Sequence, residues 1–139
     1  MRFDPNLYAS EEYCLFMNLS LNNPICVINK PLVKYRITSS SLTYKMLDRL
    51  GYERRYSLDK LKKLQNFNKY VNLKFYNKAY AQSYYYDAKY HVSKRERLMA
   101  MKNMLKTKFI DLRYVGLFLI LILPLNIWEN FHIMYKKRL

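Results

Sequence analysis

The chain has 139 residues, a formal net charge of +15 and two glycines. That length suits one domain with a modest core, and so little glycine argues against a full α/β sheet protein, whose strand-to-helix turns and phosphate loops consume that residue. Cys14 and Cys26, with only His91 and His132 to help, do not make a zinc site and read as two buried free thiols of a reducing cytoplasm.

In chain order, the first element is a helix. Ser10 is a suitable N-cap and Leu15, Phe16 and Leu19 recur at helical spacing, which predicts a helix from about Ser10 to Leu21. Glu11 and Glu12 occupy its first turn, where free N–H groups and the helix dipole favour ionised carboxylates. Such a carboxylate can act as a general base, and equally it can serve helix stability alone. Ile25-Cys26-Val27-Ile28 is a short apolar run ending at the turn Asn29-Lys30-Pro31, and it reads as a buried strand. A second strand follows, in which Val33, Tyr35 and Ile37 alternate with Lys34 and Arg36. The loop after it carries Thr38, Ser39, Ser40, Ser41 and Thr43, hydroxyls able to surround a phosphate that Arg36 neutralises.

From Tyr44 onward the pattern is helical. Met46, Leu47 and Leu50 lead to Gly51 as a helix stop. Ser57 is placed to cap a helix bearing Leu58, Leu61, Leu64 and Phe67. Tyr76, Tyr80 and Tyr84 form an aromatic stripe that packs on a neighbouring helix more readily than it stacks on nucleic-acid bases. Ser93 is placed to cap a basic amphipathic helix with Leu98, Met101, Leu105, Phe109 and Leu112 forming an apolar face and Arg95, Lys102, Lys106 and Arg113 on another side.

Tyr114 to Trp128 is a run of fifteen residues without a charge, interrupted by Pro124. As a helix it reaches only about 22 Å against a hydrocarbon thickness of about 30 Å, so it does not span a bilayer. With Trp128, Tyr135 and Lys136-Lys137-Arg138 it describes a segment lying in an anionic membrane surface. The alternative is a buried C-terminal helix of the core.

The order of the early pieces, Phe3-Asp4-Pro5, Glu11-Glu12-Tyr13, Pro31-Leu32 and Tyr35-Arg36-Ile37-Thr38-Ser39-Ser40-Ser41-Leu42-Thr43, resembles the C-terminal part of the catalytic domain of family 2 glycosyltransferases. These are GT-A enzymes that move a sugar from a nucleotide-sugar donor. The resemblance covers residues 3–43. It implies Glu12 as the catalytic base, Glu11 as its acidic neighbour, and Arg36 with Ser39, Ser40 and Ser41 as contacts to the donor phosphates. Thr38 stands where many relatives carry His. It also implies a divalent metal, Mg or Mn, but the Asp-x-Asp pair that would hold it does not occur in this sequence.

The fold expected from these readings is mostly α with a small β element, an α+β chain. Residues 1–44 would be the C-terminal piece of a GT-A catalytic domain, 45–112 a helical extension, and 113–139 an apolar, basic, membrane-associating tail. The resemblance implies a glycosyltransferase fragment, inactive alone, that lacks the nucleotide-binding half or receives it from a separate chain. Its partners would be a nucleotide-sugar donor, a lipid-linked glycan or polysaccharide acceptor and an anionic membrane surface, at the cytoplasmic face of the cell membrane. The alternative is a non-catalytic basic helical module that binds membrane surface or nucleic acid.

Overall fold

The computed structural model describes residues 3–34, 41, 45–123 and 127. Within them lie six helices: α1 (Glu11–Asn22), α2 (Leu47–Lys62), the single turn α3 (Phe67–Tyr70), α4 (Leu73–Ser93), α5 (Arg97–Lys106) and α6 (Leu112–Ile122). No strand occurs among the described residues, so the architecture is a helical bundle and not the expected α+β fold. Residues 25–28 have no regular structure and their apolar side chains face solvent, with Val27 84 % exposed. Pro31 to Lys34 is likewise outside any ladder, and Tyr35 to Ile37 lies beyond the described residues. The physical reason is pairing: an extended segment leaves its N–H and C=O groups unmet unless another strand takes them, and here no described strand does.

α4 is the spine. Its 21 residues contain neither glycine nor proline and extend for about 31 Å. Asn72 starts it by accepting a hydrogen bond from the Lys74 amide at 2.9 Å. Its end is a Schellman arrangement, in which the Glu96 amide donates to the His91 carbonyl at 2.9 Å and the Arg95 amide to Val92 at 3.1 Å. Arg95 takes the left-handed conformation this requires, with φ of 62°, a position that favours glycine.

The two ends of α4 serve two cores. Toward its start Tyr76 joins Leu21, Leu58, Leu61 and Phe67, with the Tyr76 ring edge-on to Phe67 at 5.2 Å. Further along, Ala81, Ala88 and Val92 meet Ala100 and Met104 of α5 and Tyr114 and Leu121 of α6. Small residues on both α4 and α5 let those two helices approach closely. Arg97 then ties the hairpin shut, donating to the Leu121 carbonyl and, at 2.6 Å, to the Leu123 carbonyl at the negative end of α6.

Several local expectations change. Gly51 does not stop a helix; it lies buried inside α2, where an added Cβ would fall 1.9 Å from Asp87 Oδ1 and 2.6 Å from the Ser83 carbonyl oxygen. Its role is to let α2 touch α4. Ser57 is no cap either: it is buried in mid-helix and donates to the Glu53 carbonyl at 2.9 Å. Ser93 closes α4 rather than opening the next helix, donating to the Tyr90 carbonyl at 2.7 Å. In α5 the buried apolar residues are Ala100 and Met104, while Leu98 is 74 % exposed and Leu105 also faces out. Cys14 is buried as expected, whereas Cys26 is exposed.

Candidate functional site

The expected helix at the acidic pair forms, and its anchoring comes from the helical extension. Leu7 turns back onto the Asp4 carbonyl at 3.1 Å, bringing three successive amides, those of Tyr8, Ala9 and Ser10, to face α2. Glu53 meets all of them. Its carboxylate, 2 % exposed, accepts from Ala9 N at 2.8 Å, from Tyr8 N and Ser10 N at 3.1 Å, and from the Ser10 hydroxyl at 3.2 Å. A buried charge is tolerable only with such a full set of donors. Ser10 occupies the N-cap position, yet its side chain caps nothing in α1 and points to Glu53 instead.

A second tie lies one turn along. Asp4 accepts from Lys60 Nζ at 2.8 Å and from the Tyr56 hydroxyl at 3.2 Å. The Lys60 hydrogen bond, assisted by the Asn6 amide, holds the Asp4 carboxyl down at about 2. Arg54 supplies a third: its guanidinium sits between the rings of Tyr13 in α1 and Tyr86 in α4, at 4.8 Å and 4.6 Å from their centroids. Its Nε is buried without a hydrogen-bond partner, so the ring faces hold it.

These contacts leave Glu11 and Glu12 at the start of α1 with their carboxylates uncommitted. Glu11 is half-buried and Glu12 exposed, and neither makes a side-chain hydrogen bond or ion pair among the described residues. Arg36, Ser39 and Ser40, the expected phosphate contacts, lie outside the described residues. Ser41 is described and half-buried, and its carbonyl accepts from the Lys45 amide at 3.1 Å. A cavity of about 470 Å³ opens beside the same helix, between Phe3 to Asn6, Cys14, Leu15, Asn18 and Lys60, and the acidic pair does not line it.

Among the described residues no group of three or more His, Cys, Asp or Glu side chains is arranged to hold an ion. Sequence reasoning missed Glu53, because a glutamate in the middle of an exposed-looking helix carries no signal that its partners lie 43 to 45 residues earlier. It also missed the partners of Asp4 and Arg54 for the same reason.

Toward the C-terminus the surface changes character. Leu98, Lys102 and Leu105 share one face of α5, and Leu112, Leu119 and Ile122 are exposed on α6. No helix of the described residues is long and apolar enough to cross a membrane. Trp128, Tyr135 and the basic end at 136–138 fall outside the described residues. Compared with protein-family models, curated proteins and solved structures, the chain matches none.

Proposed function

We propose that this chain contributes the acceptor-activating carboxylate of a family 2-like glycosyl transfer, in which a sugar passes from a nucleotide-sugar donor to a lipid-linked or polysaccharide acceptor. The observation that carries this reading is the freedom of Glu11 and Glu12. Among the described residues Asp4, Glu53, Asp87 and Asp111 each meet a cation or an amide, and Asp59 meets a tyrosine hydroxyl. The pair at the start of α1 has none of these among the described residues, while Glu53, Asp4 and Arg54 fix the backbone that presents it. A carboxylate so placed is the kind of group that accepts a proton from an acceptor hydroxyl.

Glu12 is the base in this reading, with Glu11 beside it and Arg36, Ser39, Ser40 and Ser41 toward the donor phosphates. The chain is inactive alone and works with a donor-binding half, on the same polypeptide or on another. It works at the cytoplasmic face of the cell membrane, held by the exposed apolar and cationic stripes of α5 and α6. Each lysine or arginine near an anionic leaflet contributes about 1 kcal/mol, and the leucines between them enter the headgroup region.

The test is transfer from a nucleotide sugar by the chain combined with a donor-binding half. Glu12→Gln lowers the rate by about 10²–10⁴-fold, as loss of a general base does, and leaves donor binding intact. A Glu12→Gln protein that transfers sugar at the wild-type rate removes the reading. What then stands is a non-catalytic, membrane-binding basic helical module, which the exposed Leu98–Lys102–Leu105 face favours by itself.

A further inference from the structure

A cleft of about 550 Å³ lies between α2, α4 and the turn that joins α5 to α6. Its floor is the tyrosine stripe: the rings of Tyr76 and Tyr80 are 5.8 Å apart and those of Tyr80 and Tyr84 5.9 Å. Three lysines stand around it, Lys62 from α2, Lys106 at the end of α5 and Lys108 from the turn. Lys62 Nζ lies 6.0 Å from the Tyr76 centroid and Lys106 Nζ 5.3 Å from that of Tyr84. Since Tyr76 and Tyr84 are two turns apart, these ammonium groups belong to opposite ends of a trough about 12 Å long.

The turn is built to keep its lysines there. Lys108 and Phe109 both have φ of 51°, a left-handed conformation that costs about 1 kcal/mol for a residue with a Cβ. It is locked by Thr107, fully buried, whose hydroxyl donates to the Met104 carbonyl at 2.6 Å and accepts from the Phe109 amide at 3.3 Å. Phe109 is pinned edge-on to Phe118 at 5.0 Å. The one carboxylate in the cleft, Asp59, takes the Tyr80 hydroxyl at 3.4 Å and pairs with none of the three lysines among the described residues. Burial, with Asp59 second, pushes the Tyr76 hydroxyl up to about 12 and that of Tyr80 upward, so both remain hydrogen-bond donors at neutral pH.

We propose that this cleft binds the phosphate or diphosphate group of a ligand, with Lys62, Lys106 and Lys108 as the anion contacts. The volume suits a small phosphorylated molecule or a phosphorylated headgroup, and the lysines act as mobile point charges rather than as a rigid fork. Stacked bases fit less well, because the ring faces at both ends already carry an ammonium and neighbouring rings tilt toward one another at 38° and 65°. The site is separate from the acidic pair and does not depend on the glycosyl-transfer reading.

The test is calorimetric titration of the full chain with inorganic pyrophosphate at constant ionic strength, beside flotation on phosphatidylcholine vesicles with and without phosphatidic acid. The double variant Lys106→Gln/Lys108→Gln weakens binding by about tenfold or more, and a charge-matched control on exposed lysines outside the cleft, Lys63→Gln/Lys74→Gln, by less than about twofold. Asp59→Asn strengthens it by about two- to fivefold, because an anion in the cleft no longer meets that carboxylate. This pattern with pyrophosphate assigns a soluble phosphate ligand; the same pattern in flotation without pyrophosphate binding assigns a lipid headgroup. Equal losses in the two double variants, no binding in either arm, or tighter binding to a single-stranded oligonucleotide at matched salt overturns the proposal.

Discussion

The two ends of α4 hold the chain together by different means. At its start, α1 and α2 are joined through long-range polar contacts laid over a core of Leu21, Leu58, Leu61, Phe67 and Tyr76. Glu53 gathers the amides of residues 8–10, Lys60 takes Asp4, and Arg54 is gripped between Tyr13 and Tyr86. At the other end, α5 and α6 pack through Ala100, Met104, Tyr114 and Leu121 and turn further apolar side chains outward. The first region spends its polar groups on fixing one backbone segment and leaves an acidic pair without a partner among the described residues. The second turns Lys102 and several leucines outward, while Arg97 and Arg113 are engaged within it by the Leu121 and Leu123 carbonyls and by Asp111. A helical protein can thus fix a segment by polar contacts at one end of a spine and leave apolar surface exposed at the other.

The largest expected effect that separates the halves is on the cores. Leu58→Ala removes a fully buried side chain and lowers the unfolding free energy by about 2–5 kcal/mol. Leu98→Ala, on the exposed face of α5, changes it by less than about 0.5 kcal/mol while weakening vesicle binding. Urea titration and flotation of the same two proteins give both numbers, and a large stability loss in Leu98→Ala would mean that this face is packed.

Glu53→Gln comes next. The amide keeps one acceptor oxygen but turns N–H groups toward backbone donors, at a cost of about 2–4 kcal/mol. Hydrogen exchange should then quicken at Tyr8, Ala9 and Ser10 before it does in α4. Uniform exchange across the chain would show that the segment is not held by this carboxylate.

Acid should loosen the same region. The Asp4 carboxyl, held at about 2 by Lys60, lies below its ordinary value of 3.8, so its contribution is complete above about pH 4 and fades as the pH falls from 4 toward 2. Asp4→Asn removes that part of the acid transition, read by circular dichroism. An unchanged transition would place the acid-sensitive group elsewhere, with Asp111, which Arg113 also holds at about 2, as the comparison from the other half.

The smallest effect concerns the α4–α5 junction. Arg95→Gly relieves the left-handed residue of the Schellman turn and should stabilise the protein by about 0.5–1 kcal/mol in the same urea titration. Destabilisation would mean that the arginine side chain itself holds the junction.

What the sequence determined alone was local. Ser10 with Leu15 and Leu19 predicted a helix over 10–21, and α1 runs Glu11–Asn22; the spacing of Tyr76, Tyr80 and Tyr84 predicted one helical stripe, and the rings do follow one another along α4, tilted and edge-on. Periodicity and capping act within a turn or two, so they can be read from the chain itself. Tertiary structure decided the rest. Gly51 reads as a stop until Asp87 and Ser83 are seen against it, and residues 25–28 read as a strand although no partner strand is described beside them. Leu98 and Leu105 read as one apolar face of α5, and only the fold shows that Ala100 and Met104 are the residues it buries. Each of these depends on a neighbour distant in sequence, and burial, pairing and charge satisfaction are properties of such neighbours rather than of the residue itself.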